Sequence, residues 1–150
     1  MSAVLIILGV ALLGFRGLGA LGVGALCSWQ VCSRYALAVM LFFTGSAHFT
    51  SMKEILVRMV PPWVPYPRLA IFVTGILEIL GAIGLLIPSL QRPAGIALVL
   101  FFIAVLPANI YAAHAGILLG GQPATPVWIR VPIQLLFIAL AWWSTQPGVQ

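Results

Sequence analysis

Apolar runs about as long as a bilayer is thick follow one another along this chain, broken only by glycines, prolines and isolated charges. A helix needs roughly 20 mostly apolar residues to cross hydrocarbon, and several windows reach that length. Only 6% of the 150 residues are charged, against about a quarter in an ordinary soluble domain. The chain therefore reads as an integral membrane protein, all-α, a polytopic bundle forming one membrane domain over residues 1–150. There is no room for a separate soluble domain.

One segment interrupts the pattern. Residues 44–78 hold both acidic residues, Glu54 and Glu78, one of the two histidines and three of the seven basic residues. Within it, SMKEILVRMV (residues 51–60) is amphipathic. Met52, Ile55, Leu56 and Met59 share a face, which predicts a short interfacial helix. Glu54 and Arg58 are spaced for an i,i+4 pair worth a few tenths of a kcal/mol at most. Pro61, Pro62, Pro65 and Pro67 then stop any helix. Trp63 and Tyr66, among those prolines, suit a membrane–water boundary.

Around this segment the spacing predicts about five long helices. The first covers residues 3–27, about 37 Å if helical, and six glycines between Gly9 and Gly24 favour close packing on a neighbour. The only positive charge ahead of its apolar stretch is the amino terminus, and Arg16 follows instead of precedes, so it reads as mature structure and not a cleaved signal. Residues 28–34 read as a turn with Trp29 at the interface. Further spans are expected over residues 35–49, 67–87, 92–115 (with Pro107 inside) and 127–143, with a loop at 116–126.

The net charge of +5 does not indicate nucleic acid, because the basic residues are scattered singly, with no stripe or aromatic platform. They act better as topology signals. With the Lys53–Arg68 end called face A, alternation puts Lys53, Arg58, Arg68 and Arg130 there, and Arg34 and Arg92 opposite. That excess favours face A, with the amino terminus, on the cytoplasmic side. Cys27 and Cys32 are spaced C-x4-C, which is neither a thioredoxin-like nor a zinc pattern. Two small apolar residues and a disulfide clipping the turn both remain open.

Counting depth along each span brings His48, Glu78, Asn109, Tyr111, Arg130 and Gln134 between face A and the midplane. Glu78 lies about 16 Å into its helix. Gly45, Gly75 and Ala82 sit one turn from His48 or Glu78 and leave room for close helix contact or a ligand. Pro107 withholds a backbone donor and frees a carbonyl that needs another partner. Ionisable groups at such depth are costly and mark functional sites. The expectation is an apolar-walled pocket with a few convergent polar groups, roofed by residues 61–67 with Trp63.

Each residue has a plainer reading. Glu78 could be a structural carboxyl, neutral through desolvation or paired with Arg16 at similar depth. His48 could cap the interface. Asn109 and Gln134 could join helices, Arg130 could anchor at the interface and His114 could belong to a loop. No close His or carboxylate pair suggests a metal. A Ser–His–Asp arrangement is excluded because the chain contains no Asp.

FTGSAHF at the end of one span, the following MVPPWVP, the TGILEILGAIGLL helix carrying Glu78, and PANIYAA before the last span together resemble the DoxX-like family of small membrane proteins, over residues 35–143. That resemblance implies a four-helix core, to which residues 3–27 add a glycine-rich helix, in a bacterial inner membrane. It also implies an association with quinone and redox chemistry. The sequence itself carries no cofactor motif. The leading expectation is a membrane subunit binding a lipid-soluble molecule, a quinone, through His48, Glu78, Asn109, Gln134, Trp63, Tyr111 and Arg130 beside a redox partner. The alternative is a non-enzymatic assembly factor receiving another protein's transmembrane helix. No residue is assigned to catalysis, the partners expected are membrane lipids and a redox or membrane protein, and homo-oligomerisation stays open.

Overall fold

The computed structural model describes residues 2–119, 121–123 and 125–147. Six helices are formed there: α1 (Ser2–Ala20), α2 (Trp29–Ala47), α3 (Lys53–Arg58), α4 (Pro67–Leu86), α5 (Gln91–His114) and α6 (Val127–Ser144). Single 3-10 turns lie at Gly24–Leu26 and Pro88–Leu90, and Leu118–Leu119 pairs antiparallel with Gln122–Pro123 in the α5–α6 connection. Among the described residues, four segments are long and apolar enough to cross a membrane: α1, α4, α5 with its preceding 3-10 turn, and α6.

Prolines set both ends of α4 and the start of α6. Pro67 opens α4 at a position where its missing N–H is not needed, and Ile87, extended before Pro88, closes it. Tyr66, ahead of Pro67, takes the left-handed conformation (φ 55°) that turns the chain into α4. The first connection departs from expectation. α1 ends at Ala20, not near residue 27, because Gly22 adopts φ 103° and the chain turns away. Residues 29–34, expected as a turn, are already helical, since the Ser28 hydroxyl accepts from the Gln30 N–H and caps α2.

Helix α2 is the hub. Its Ala36, Leu37, Met40 and Leu41 are at most 1% exposed, and it packs against α1, α4 and α6, while α5 joins α4 to α6. Helices α2, α4, α5 and α6 thus close a ring, with α1 laid outside against α2. The contacts establish antiparallel neighbours. Arg34 near the start of α2 donates to the Ser144 carbonyl at the end of α6, at 3.0 and 2.7 Å. At the other end, Thr44 of α2 meets Glu78 of α4, and Arg130 of α6 meets Asn109 of α5.

Helix α2 is as long as α1, at 19 residues, but carries Gln30, Ser33, Arg34, Thr44 and Ser46. Polar groups in hydrocarbon need protein partners, and the central position supplies them. Gln30 and Arg34 satisfy the last carbonyls of α6, favourable also for a cation at a helix C-terminus. Helices α1, α4, α5 and α6 are apolar enough to cross a membrane; α2, the most polar of the five long helices, is the one held against three neighbours, with Val39, Phe42 and Phe43 left exposed on its remaining side.

Candidate functional site

Glu78 lies in the middle of α4, on the side turned to α2, and its environment is built by small residues. Gly45 and Gly75 sit opposite each other: a Cβ on Gly45 would meet Glu78 Cβ at 3.2 Å, and one on Gly75 would meet His48 Cβ at 2.6 Å. With those methyl groups missing, the two backbones approach closely. The polar side chains of both helices are pressed into one place.

There the Thr44 hydroxyl donates to Glu78 Oε2. The His48 imidazole stands beside it, with Nε2 4.0 Å from Glu78 Oε1. His48 Nδ1 lies 3.0 Å from the Thr44 carbonyl. A carbonyl only accepts, so Nδ1 carries the proton in this contact, and a neutral ring presents Nε2 as an acceptor. The His48 and Glu78 side chains are 10% and 12% exposed. Thr44 was not among the expected site residues. Its position four residues before His48, on the same helical face, was the signal available.

A second polar group lies between α5 and α6. Arg130 Nη1 donates to Asn109 Oδ1 at 2.8 Å, Asn109 Nδ2 reaches Gln134 Oε1 at 3.4 Å, and Gln134 Nε2 donates to the Phe102 carbonyl at 2.9 Å. That carbonyl is one residue before the one Pro107 deprives of its donor, so the amide of Gln134 bonds backbone at the proline bend. Arg130, whose plainer reading from sequence was an interfacial anchor, is 2% exposed. Its guanidinium turns inward because Asn109 provides the nearest acceptor.

The aromatic residues form a third group. The Trp63 and Tyr111 rings meet edge to face with centroids 6.0 Å apart. With Pro107, Ile110 and His114 they line an open notch of about 380 Å³. Tyr111 and Asn109 are two residues apart on α5 and so project to different sides. His114 is the last residue of α5 and not part of the loop. Trp63 is 69% exposed and covers this notch; neither His48 nor Glu78 lines it.

The seven residues expected around one pocket are thus distributed over three places, and among the described residues no hydrogen bond or ion pair joins one group to another. Arg16 does not pair with Glu78. Its guanidinium sits over the Trp29 ring at the start of α2, 5.3 Å from the centroid, and α1 packs mainly against α2 and not against α4. Glu54 pairs with Arg68 at 3.2 Å and not with Arg58, since α3 lies along the start of α4. Cys27 and Cys32 are free thiols, and Cys32 points its S–H at the Leu26 carbonyl. Among the described residues, no three His, Cys, Asp or Glu side chains gather as metal ligands would.

Chemically, the α2–α4 group offers a carboxyl with one oxygen engaged and one facing an imidazole across a gap. The α5–α6 group offers a buried cation held by the neutral amide of Asn109. No curated protein and no solved structure matches the chain. The matched region starts inside α2 and runs through α6, leaving α1 outside it: over residues 37–145 the chain fits the family described as Domain of unknown function (DUF8561), and it belongs to that family.

Proposed function

We propose that this protein binds a lipid-soluble molecule with an oxygen-bearing head, a quinone, with the head seated between Glu78 and His48. The observation that carries the reading is the 4.0 Å separation of His48 Nε2 from Glu78 Oε1. It is too long for a hydrogen bond, and no other protein donor reaches Oε1 among the described residues. A head-group hydroxyl or carbonyl placed there would contact both residues, and either could exchange a proton with it. Nothing in the sequence carries electrons, so a redox partner would deliver or remove them. The likeness of residues 35–143 to DoxX-like proteins, and a bacterial inner-membrane location, belong to the same proposal.

Glu78→Gln tests it, with ubiquinone and menaquinone binding measured in neutral detergent. Replacing the carboxyl by an amide should weaken binding about tenfold, the loss of one hydrogen bond to a potentially charged group. Unchanged affinity would remove the carboxyl from the site.

A second reading, an assembly factor receiving another protein's transmembrane helix, is favoured by the groove between α4 and α5. It holds about 510 Å³, and Gly81, Ala94, Ala97 and Ala104 among its lining residues leave space for a close helix contact. Co-purification decides between the two: a stoichiometric protein partner with no extractable lipid-soluble ligand favours assembly.

A further inference from the structure

Arg130 is a cation that the described chain does not neutralise. The sequence contains two acidic side chains, and both are engaged elsewhere: Glu54 with Arg68, Glu78 with Thr44 and beside His48. Arg130 is 2% exposed, its Nη1 bonds only the neutral amide oxygen of Asn109, and its Nε has no partner. A guanidinium does not lose its proton in proteins. A buried charge without a counter-ion is strongly destabilising, and an anion beside Arg130 would relieve that cost.

The local backbone points to the same class of ligand. Arg130 is the fourth residue of α6, and the helix begins after Pro126, with no side chain capping it. The N–H groups of Val127 and Trp128 are among those a helix start leaves without an intrahelical acceptor, at the positive end of the macrodipole. Such an end binds phosphate readily. Trp128, 75% exposed, suits head-group depth. Lys53, Arg58 and Arg68 lie at the same end of the bundle, the one expected on the cytoplasmic side, where anionic lipids attract basic residues.

We propose that the start of α6, with Arg130 and the amide of Asn109 behind it, holds a phosphate group, supplied by an anionic phospholipid. The site is separate from the Glu78–His48 gap and shares no residue with it, so either proposal can fail alone.

The test follows the melting temperature of the full chain in neutral detergent while phosphatidylglycerol, phosphatidylcholine or inorganic phosphate is added. A ligand that binds only the folded state raises stability with concentration. Phosphatidylglycerol should raise the wild-type melting temperature by about 3 °C or more at saturation, with a clearly smaller gain from phosphatidylcholine. Arg130→Met should lose most of that difference, and Glu78→Gln should keep it. A gain from inorganic phosphate alone, absent in Arg130→Met, would support the site with a soluble anion as its source. Equal gains in wild type and Arg130→Met, or no gain from either anion, would overturn the proposal. Should Arg130→Met not fold, native mass spectrometry of the wild type in an equimolar mixture of the two lipids decides. Preferential retention of phosphatidylglycerol supports the site, and equal retention overturns it.

Discussion

Gly75 of α4 faces His48 at the end of α2 so closely that a Cβ on the glycine would lie 2.6 Å from His48 Cβ and 3.0 Å from Cγ. Gly75→Ala cannot be accommodated by rotating the far end of a side chain, because Cβ of His48 is fixed to its backbone. We expect the substitution to spread α2 from α4 and cost about 1–3 kcal/mol, as overpacking does. Reversible unfolding in mixed micelles measures it. The same spreading should widen the Glu78–His48 gap and lower ligand affinity.

Thr44 satisfies one oxygen of Glu78 from across the helix pair. Thr44→Val keeps the shape and removes the donor; an interhelical hydrogen bond in a membrane is worth about 0.6 kcal/mol on average and up to about 1.7. The expected loss is near 1 kcal/mol by the same unfolding measurement. Thr44→Ser should restore it, and a Val variant as stable as Thr44→Ser would show that the hydroxyl is not holding the carboxyl.

Cys27 is exposed and Cys32 is 0% exposed, and neither is bonded to the other. A water-soluble maleimide should therefore add one equivalent to the folded protein, at Cys27, and two after unfolding in detergent. Mass spectrometry of the intact chain reads the count directly. No labelling of the unfolded, non-reduced protein would mean a disulfide at this turn.

Much of the helical framework was legible in the residues. Helix α4 was expected over residues 67–87 and α6 over 127–143, each within one residue of the structure, because prolines impose boundaries through covalent geometry that no packing can alter. The first connection was misread for the complementary reason. Gly22 tolerates either sign of φ, so its own identity does not say that the chain turns there. The Ser28 cap that begins α2 was readable as a start signal but was hidden inside an apparent turn.

For the candidate residues, depth could be read from the sequence and arrangement could not. Depth along a helix follows from counting, and counting placed Glu78, His48, Asn109, Gln134 and Arg130 on one half of the membrane. Which side each faces relative to its neighbours does not follow from depth. Arg16 and Glu78 were matched by level, yet α1 ends at Ala20 and packs mainly against α2, and Arg16 stacks on Trp29 instead.

Composition and proline spacing alone determined that this is a chain of long apolar helices with a charged, broken segment between two of them, because hydrocarbon permits little else to such residues. Only the packing decided that the most polar long helix is held against three others, that Thr44 serves Glu78, and that Arg130 turns inward to Asn109. Those outcomes depend on which helix faces meet, and facing is settled by small residues such as Gly45 and Gly75 allowing two backbones to close on each other.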